Sequence, residues 1–206
     1  LDKIVGIDLG LTSCAVLSTG EEIANPRFFR ESEERLARRQ RALQAKKRGS
    51  RSRQRAKQLV GRAHAKIHNQ RLDFARKLAK ALFSRYDVVA HEDLNIKGLI
   101  EKEDGPGLSK SILDVAWRII LLCLAAKAEE AGKLAIGVNP RGTTQRCSRC
   151  GVVVPKTLRD RVHDCPECGL CLDRDHNAAL NIHALGLSAA RERLLRLSRT
   201  EAPDHF

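Results

Sequence analysis

The chain has 206 residues, enough for one sizeable domain plus a small module, and no apolar run in it approaches the roughly 20 residues that a membrane-spanning helix needs. With 38 Lys/Arg against 25 Asp/Glu, its formal net charge is +13, which favours a polyanionic partner such as nucleic acid. Aromatic residues make up only 3% of the chain, which argues against binding by stacking bases on many aromatic rings.

The N-terminal segment predicts an antiparallel meander of three strands. Residues 4–10, 13–17 and 22–29 are the strands, and turn residues Thr19-Gly20 separate the second from the third. Asp8 lies near the carboxyl end of the first strand, where sites in open α/β sheets gather. Because a buried ionised carboxylate is costly unless it is paired or bound to a metal, Asp8 is a candidate site residue.

A strongly basic segment follows. Residues 27–77 contain 18 Lys/Arg against four acidic residues, so the rest of the chain is close to neutral. Apolar residues recur at helical spacing from Leu59 to Leu82, and Gly49-Ser50 separates them from an earlier helix, which predicts a basic helical hairpin at about residues 30–85. A solvated charged surface is the alternative, but so uneven a charge favours a phosphate backbone as partner. The candidate nucleic-acid-binding residues are Arg38, Arg39, Arg41, Lys46, Lys47, Arg48, Arg51, Arg53 and Arg55.

The next predicted strand, residues 86–94, again carries acidic residues at its carboxyl end. Glu92 and Asp93 point to opposite faces, so only one of them can join Asp8, and the pattern does not say which. The glycine-rich stretch at residues 95–110 predicts a flexible loop of lid length.

Beyond this loop, the sequence predicts a helix and then one more strand. Ser111 can cap the helix, which runs to about Ala131, and its Trp117 is expected to pack in the core. Residues 134–138 form the strand, which Asn139-Pro140 ends.

Four cysteines have the spacing of a metal site. Cys147 and Cys150 form one Cys-x-x-Cys pair, and Cys165 and Cys168 form a second, each pair being followed by a glycine that permits a sharp turn. Four thiolates in a tetrahedron favour zinc over a hard cation. We therefore expect a structural Zn²⁺ in a zinc ribbon, and seven cysteines in all with this spacing indicate a reducing compartment.

A helix begins at Asp173 or Asp175, directly after the ribbon. Either acid can simply cap the helix or complement its dipole, and the spacing does not choose between this role and a site role. Asp8, one acid of the pair at 92 and 93, and Asp175 are then three acids at element ends in a basic protein. Carboxylates that gather repel one another unless cations lie between them, and two Mg²⁺ ions in such a site can direct the hydrolysis of a phosphodiester.

Several motifs together resemble the TnpB family of transposon-encoded, RNA-guided endonucleases, which is related to type V CRISPR effectors. They are residues 5–10 (Val-Gly-Ile-Asp-Leu-Gly), 25–28 (Asn-Pro-Arg-Phe), 92–95 (Glu-Asp-Leu-Asn), the two cysteine pairs, and residues 173–179 (Asp-Arg-Asp-His-Asn-Ala-Ala). The resemblance implies an α/β fold of the RNase H-like (RuvC) type: a mixed sheet flanked by helices, with an inserted zinc ribbon. It also implies that Asp8, Glu92 and Asp175 are the catalytic residues and bind Mg²⁺, and that the partners are a guide RNA and target DNA.

On this interpretation, residues 1–140 form the nuclease core with the hairpin, 141–171 the zinc ribbon, and 172–206 the last helix and a C-terminal tail. The sequence contains no methionine, so we expect it to be the C-terminal part of a longer protein whose N-terminal half binds the guide. We expect a cytoplasmic prokaryotic protein, associated with the nucleoid when on DNA, and no membrane partner.

Three alternatives belong to other functional classes. A nuclease-inactive, nucleic-acid-binding regulator of the same family would keep the fold without cleavage. A guide-independent, structure-specific nuclease would use the same three acids. The opening Gly-Ile-Asp-Leu-Gly also resembles the first phosphate loop of actin-like ATPases, but those proteins need a second loop and lack a four-cysteine ribbon.

Overall fold

The structure is a computed structural model that describes residues 3–95, 116–157 and 159–200, with side chains described as far as residue 196. No helix within these ranges is long and apolar enough to cross a membrane. In chain order the strands are β1 Ile4–Asp8, β2 Ser13–Leu17, β3 Glu22–Ala24, β4 Val88–Glu92, β5 Leu134–Val138, β6 Val162–Asp164 and β7 Cys171–Asp173. The helices are α1 Phe28–Gln44, α2 Arg51–Arg85, α3 Trp117–Glu130 and α4 Arg174–Thr200.

Strands β1 to β5 form one mixed sheet in the order β3-β2-β1-β4-β5. The first three strands are antiparallel neighbours, as the predicted meander requires, whereas β4 and β5 run parallel to β1. Parallel neighbours need a crossover connection, and the chain passes through α1 and α2 before β4 and through α3 before β5. The mixed α/β architecture predicted from the sequence is therefore confirmed.

The third strand is shorter than predicted. It ends at Ala24 because Pro26 lacks a backbone N–H and restricts the residue before it. Arg27 then adopts a left-handed conformation with φ 46°, and Phe28 begins α1. The strand predicted at residues 22–29 was thus wrong in its second half.

Helices α1 and α2 pack against each other and form the basic hairpin. Gly49 takes a positive φ of 81° in the turn, and the Ser50 hydroxyl caps α2 by accepting a hydrogen bond from the Arg53 N–H at 3.2 Å. Most of the predicted apolar stripe of α2 is buried, but Leu59 is 46% exposed. One residue corresponds to about 100° around a helix axis, so Leu59 lies beside the buried line rather than on it.

The face of the sheet towards α2 and α3 carries the larger core. Val5, Ile7 and Val89 project into it from β1 and β4, and Trp117 packs there as predicted, with only 7% of its surface exposed. The Trp117 indole N–H donates to the Gly10 carbonyl at 3.4 Å. The predicted lid loop and the predicted cap at Ser111 lie outside the described residues.

Helix α4 covers the opposite face of the sheet at very close range. A Cβ added at Gly6 would lie 2.3 Å from the Ala179 carbonyl oxygen and 2.4 Å from the His183 nitrogen. A Cβ at Gly186 would lie 2.2 Å from the Ala90 Cβ. Glycine at both positions is therefore what allows α4 to lie directly on β1 and β4, with its first turn above the carboxyl ends of these strands.

The cysteine-containing segment lies between β5 and α4 in the chain. It contains the antiparallel pair β6–β7 and a small apolar cluster around Cys147, Cys165 and Leu170. Because it leads directly into α4, its position is linked to that of the α4 N-terminus.

Candidate metal centres and nucleic-acid interface

Asp8 and Glu92 end neighbouring parallel strands on one face of the sheet. The register pairs Gly6 with Ala90 and Ile7 with His91, so the next position places Asp8 beside Glu92. Both residues are buried, with 8% of their surface exposed. Asp93 points to the opposite face, where its Cβ lies against Gly137, so Glu92 and not Asp93 shares a face with Asp8.

The N-terminus of α4 supplies the third acid. Asp173 is the capping residue, since its Oδ1 accepts hydrogen bonds from the N–H groups of Asp175 at 2.8 Å and His176 at 3.1 Å. Asp175 lies in the first turn and is paired with Arg174, whose Nε and second guanidinium nitrogen are each 2.9 Å from its Oδ1. The helix pattern alone did not distinguish Asp173 from Asp175. In the structure, the Asp173 carboxylate caps the helix, whereas the Asp175 carboxylate makes no such capping contact with any residue that the structure describes.

Electrostatic interactions connect the three acids. Burial, followed by the charges of Glu92 and Asp175, raises the pKa of Asp8 to about 8, and Arg174 only partly offsets this. Burial also raises the pKa of Glu92, although a hydrogen bond from Thr143 favours its ionised form. Buried carboxylates that lie near one another repel, and a cation bound between them would stabilise their ionised forms.

The acids do not close tightly on one centre. Among the described residues, the cysteine cluster is the one group of three or more His, Cys, Asp or Glu side chains close enough together to hold a single ion. One oxygen of Asp175 is directed at Arg174. A pair of Mg²⁺ ions about 3.5–4 Å apart would need carboxylates that are spread more widely than the ligands of a single ion.

The four predicted zinc ligands do converge. The Sγ atoms of Cys147 and Cys168 are 3.6 Å apart, those of Cys150 and Cys165 are 3.5 Å apart, and all four lie within 4.8 Å of one another. Four sulfurs at about 2.3 Å from a tetrahedral Zn²⁺ would be separated by about 3.8 Å. The donor set and its spacing therefore fit a zinc ion.

The two cysteine pairs have the same backbone turn. Gly151 and Gly169 have φ values of 81° and 68°, and each donates a 2.9 Å hydrogen bond to the carbonyl of the first cysteine of its pair. Burial opposes ionisation of Cys147, but hydrogen bonds from the Cys150 and Arg149 backbone outweigh it and lower its pKa to about 5. The thiolate form is thus favoured at Cys147, whereas at Cys150 a backbone hydrogen bond is outweighed by desolvation and by contacts with the other cysteine sulfurs, which raise the pKa.

Two other candidate ligands from this segment are not part of the cluster. His163 is fully buried, and its Nδ1 contacts the Lys156 ammonium. Cys171 is exposed on β7. The cluster consists of the four cysteines predicted from their Cys-x-x-Cys spacing.

Comparisons with known proteins identify relatives of the whole described sheet and ribbon. A family model described as "Probable transposase" matches residues 2–103, and one described as "Cas12f1-like, TNB domain" matches residues 117–182. A protein of Streptomyces pristinaespiralis, whose name describes it as an RNA-guided DNA endonuclease, is 38% identical over 190 residues, which is 90% of this chain and 46% of that protein. A TnpB-like protein of Acanthamoeba polyphaga mimivirus is 28% identical over 128 residues, 60% of this chain and 24% of that protein.

The chain belongs to the TnpB-like family. It spans about half the length of the Streptomyces relative, 46% by the aligned residues. A cryo-EM structure named as a CRISPR-Cas12f ternary complex has the same fold, with a TM-score of 0.64, 21% identity, and coverage of 88% of this chain and 38% of that chain.

The basic hairpin of this TnpB-like chain contains two kinds of arginine. Arg53 donates to the carbonyls of Leu43 and Lys46, each at 3.0 Å, and Arg39 donates to the Leu59 carbonyl at 3.0 Å, so both help to join α1 to α2. The other predicted nucleic-acid-binding residues are exposed, and within the described ranges none of their side chains has a hydrogen bond or ion pair. They are Arg38, Arg41, Lys46, Lys47, Arg48, Arg51 and Arg55.

Sequence reasoning missed the residues that join the ribbon to the acidic site. Thr143 donates a hydrogen bond to Glu92 Oε1 at 2.6 Å. Asn177 accepts from the Ser148 N–H at 3.0 Å and donates to the Arg146 carbonyl at 2.9 Å, and Asn181 donates to the Thr143 carbonyl at 2.8 Å. The available signal for Thr143 was its position just beyond the carboxyl end of β5, where site residues of parallel strands gather.

Proposed function

We propose that this chain is the nuclease portion of a TnpB-like RNA-guided DNA endonuclease that hydrolyses DNA phosphodiesters with two Mg²⁺ ions. The observation that carries the proposal is the grouping of Asp8 and Glu92 on one sheet face with Asp175 at the α4 N-terminus, where burial and then the charges of Glu92 and Asp175 raise the pKa of Asp8. Carboxylate oxygens are the protein ligands that Mg²⁺ prefers.

The proposal includes an RNase H-like (RuvC) core. The strand order β3-β2-β1-β4-β5, with antiparallel β1 to β3 and parallel β4 and β5, together with the fold likeness to Cas12f, supports it. Within the chain, residues 1–140 would form the core with the hairpin, 141–171 the zinc ribbon, and 172–206 the last helix and tail.

The roles of the chain's own residues follow from their positions. Bound Mg²⁺ would supply the activated water and stabilise the leaving oxygen of the scissile bond. Asp8 and Glu92 would hold the ions from the sheet. Asp175 would hold them from the first turn of α4, and its carboxylate would exchange the Arg174 guanidinium for the metal ions. Zn²⁺ in the cysteine cluster would keep the ribbon folded, and through it the α4 N-terminus in position.

The hairpin is proposed to hold the guide–target duplex by its backbone, because base pairing supplies the sequence information in such systems. The seven exposed cationic side chains of the hairpin that make no hydrogen bond or ion pair within the described residues support this role. Other residues of the complete gene product would complete guide recognition, since the chain spans 46% of its Streptomyces relative. Cytoplasmic, nucleoid-associated localisation is part of the same proposal.

The test is a cleavage assay on the complete gene product with Mg²⁺ and the RNA transcribed next to its gene. Target plasmids carry a matching sequence beside randomised flanks, and a non-matching RNA is the control. Asp8→Asn and Glu92→Gln should abolish cutting and leave binding to RNA and target unchanged. Asp93→Asn is the matched control, because it removes an acid from the same strand end on the other face.

The alternatives give different results. Wild-type protein that binds the matched target without cutting would support a regulator. Cutting that is independent of the RNA would support a guide-independent nuclease. Full cleavage by Asp8→Asn would refute the assignment of the site.

A further inference from the structure

The hydroxyl of Thr143 lies against the carboxylate of Glu92. Its Oγ1 is 2.6 Å from Glu92 Oε1 and 3.0 Å from the Pro140 carbonyl oxygen, and Thr143 and Glu92 have only 3% and 8% of their surface exposed. A hydroxyl has one proton to donate. The carboxylate is both the nearer and the stronger acceptor, so the proton is directed to Glu92.

This contact leaves one carboxylate oxygen available. Within the described part of the chain, Oε2 of Glu92 has no hydrogen-bond donor, whereas Oε1 is held by Thr143. A free glutamate side chain can adopt several rotamers, and a hydrogen bond that holds one of its carboxylate oxygens restricts it to few of them. The orientation of the Glu92 carboxylate, and with it the position of the available Oε2, therefore depends on Thr143.

Thr143 is itself held from α4. The Asn181 side-chain amide donates to the Thr143 carbonyl at 2.8 Å and to the Arg146 carbonyl at 2.7 Å. One turn earlier, Asn177 is fully buried and bonds to Arg146 and Ser148 at the start of the ribbon. The segment from Thr143 to Ser148 is thus held along the same helix that carries Asp175.

We infer that Thr143 is the positioning residue that orients the Glu92 carboxylate for a divalent cation, and that α4 and the ribbon hold Thr143 in place. The inference rests on the proposed function, since it concerns the same site. Residues that hydrogen-bond to a metal ligand fix its orientation, and their loss costs about 10- to 100-fold in metal affinity or activity.

The test compares Thr143→Val, which keeps the shape and removes the hydroxyl, with Thr143→Ser, which keeps the hydroxyl. Mn²⁺ binding to the complete gene product, measured by electron paramagnetic resonance without nucleic acid, should weaken about 10- to 100-fold in Thr143→Val. In cleavage, kcat or the apparent Mg²⁺ affinity should fall by a similar factor with the KM for target DNA unchanged. Thr143→Ser should restore both to within about threefold.

Zinc content and thermal unfolding distinguish positioning from a merely structural role. Thr143→Val should keep one zinc ion per chain and melt within about 12 °C of wild type, the range expected for the loss of one buried hydrogen bond. If Thr143→Val binds Mn²⁺ as tightly as wild type, the inference is wrong. It is also wrong if Thr143→Val loses zinc or melts at a much lower temperature and Thr143→Ser shows the same defect. If Glu92→Gln leaves cleavage intact, the proposed function fails. If Glu92→Gln is inactive and Thr143→Val is fully active, only this inference fails.

Discussion

Replacing Gly6 by alanine should separate α4 from the sheet. The added Cβ would lie 2.3 Å from the Ala179 carbonyl oxygen and 2.8 Å from the His183 Cα, and both belong to the α4 backbone. Backbone atoms cannot rotate away as a side chain can, so reaching an ordinary contact requires α4 to move by about 1 Å. Gly6 has no positive φ, so the effect is steric and not conformational.

The expected cost follows from overpacking. Forcing a methyl group into a closely packed interface costs about 1–3 kcal/mol. For a chain of this length, that corresponds to a fall in melting temperature of about 2 to 12 °C. Because α4 carries Asp175, the same displacement should reduce cleavage even at temperatures where the variant remains folded.

The assay is urea unfolding followed by circular dichroism, together with cleavage at a temperature well below the transition. Gly137→Ala is the matched control on β5, because its Cβ would lie 3.4 Å from Asp93 Cβ, an ordinary contact. A Gly6→Ala protein as stable and as active as the Gly137→Ala protein would refute the close approach of α4 to β1.

Three further predictions concern other parts of the molecule. Gly186→Ala should destabilise the fold because its Cβ would meet that of Ala90 at 2.2 Å, and Ala90→Gly in the same chain should restore much of the loss in an unfolding titration; no rescue would contradict this packing. Cys150→Ser should release zinc, as measured by mass spectrometry of the purified protein, whereas Cys171→Ser should retain one ion because Cys171 is outside the cluster. In Mg²⁺-free buffer, Asp8→Asn should stabilise the protein increasingly as pH rises from about 4 to 8. Burial, followed by the charges of Glu92 and Asp175, raises the pKa of Asp8 from 3.8 to about 8 in the fold. The free energy of unfolding of the wild type therefore falls by up to about 1.4 kcal/mol per pH unit between these values, whereas that of Asp8→Asn does not. Plots of unfolding free energy against pH that run parallel for the two proteins would contradict this prediction.

Much of the local structure was predictable from residues close together in the chain. Short apolar runs bounded by turn residues identified β1, β2, β4 and β5, and helical spacing identified the basic hairpin. The strand that should have reached Phe29 was misjudged because two apolar residues after Pro26 fit a strand and a helix turn equally well. The two Cys-x-x-Cys-Gly repeats predicted the cysteine cluster, since each knuckle is formed by neighbouring residues and glycine permits its positive φ.

The sequence by itself determined the element types, the basic charge and the cysteine ligands, because these depend on short-range spacing and composition. The spacing left the choice between Glu92 and Asp93 open, although the family resemblance implied Glu92. The tertiary structure shows Glu92 on the face of Asp8, because that depends on the register of two strands far apart in the chain. It also decided that α4 crosses at Gly6 and that Thr143 reaches Glu92. Contacts of this kind arise where separate elements meet, and no periodicity within one element encodes them.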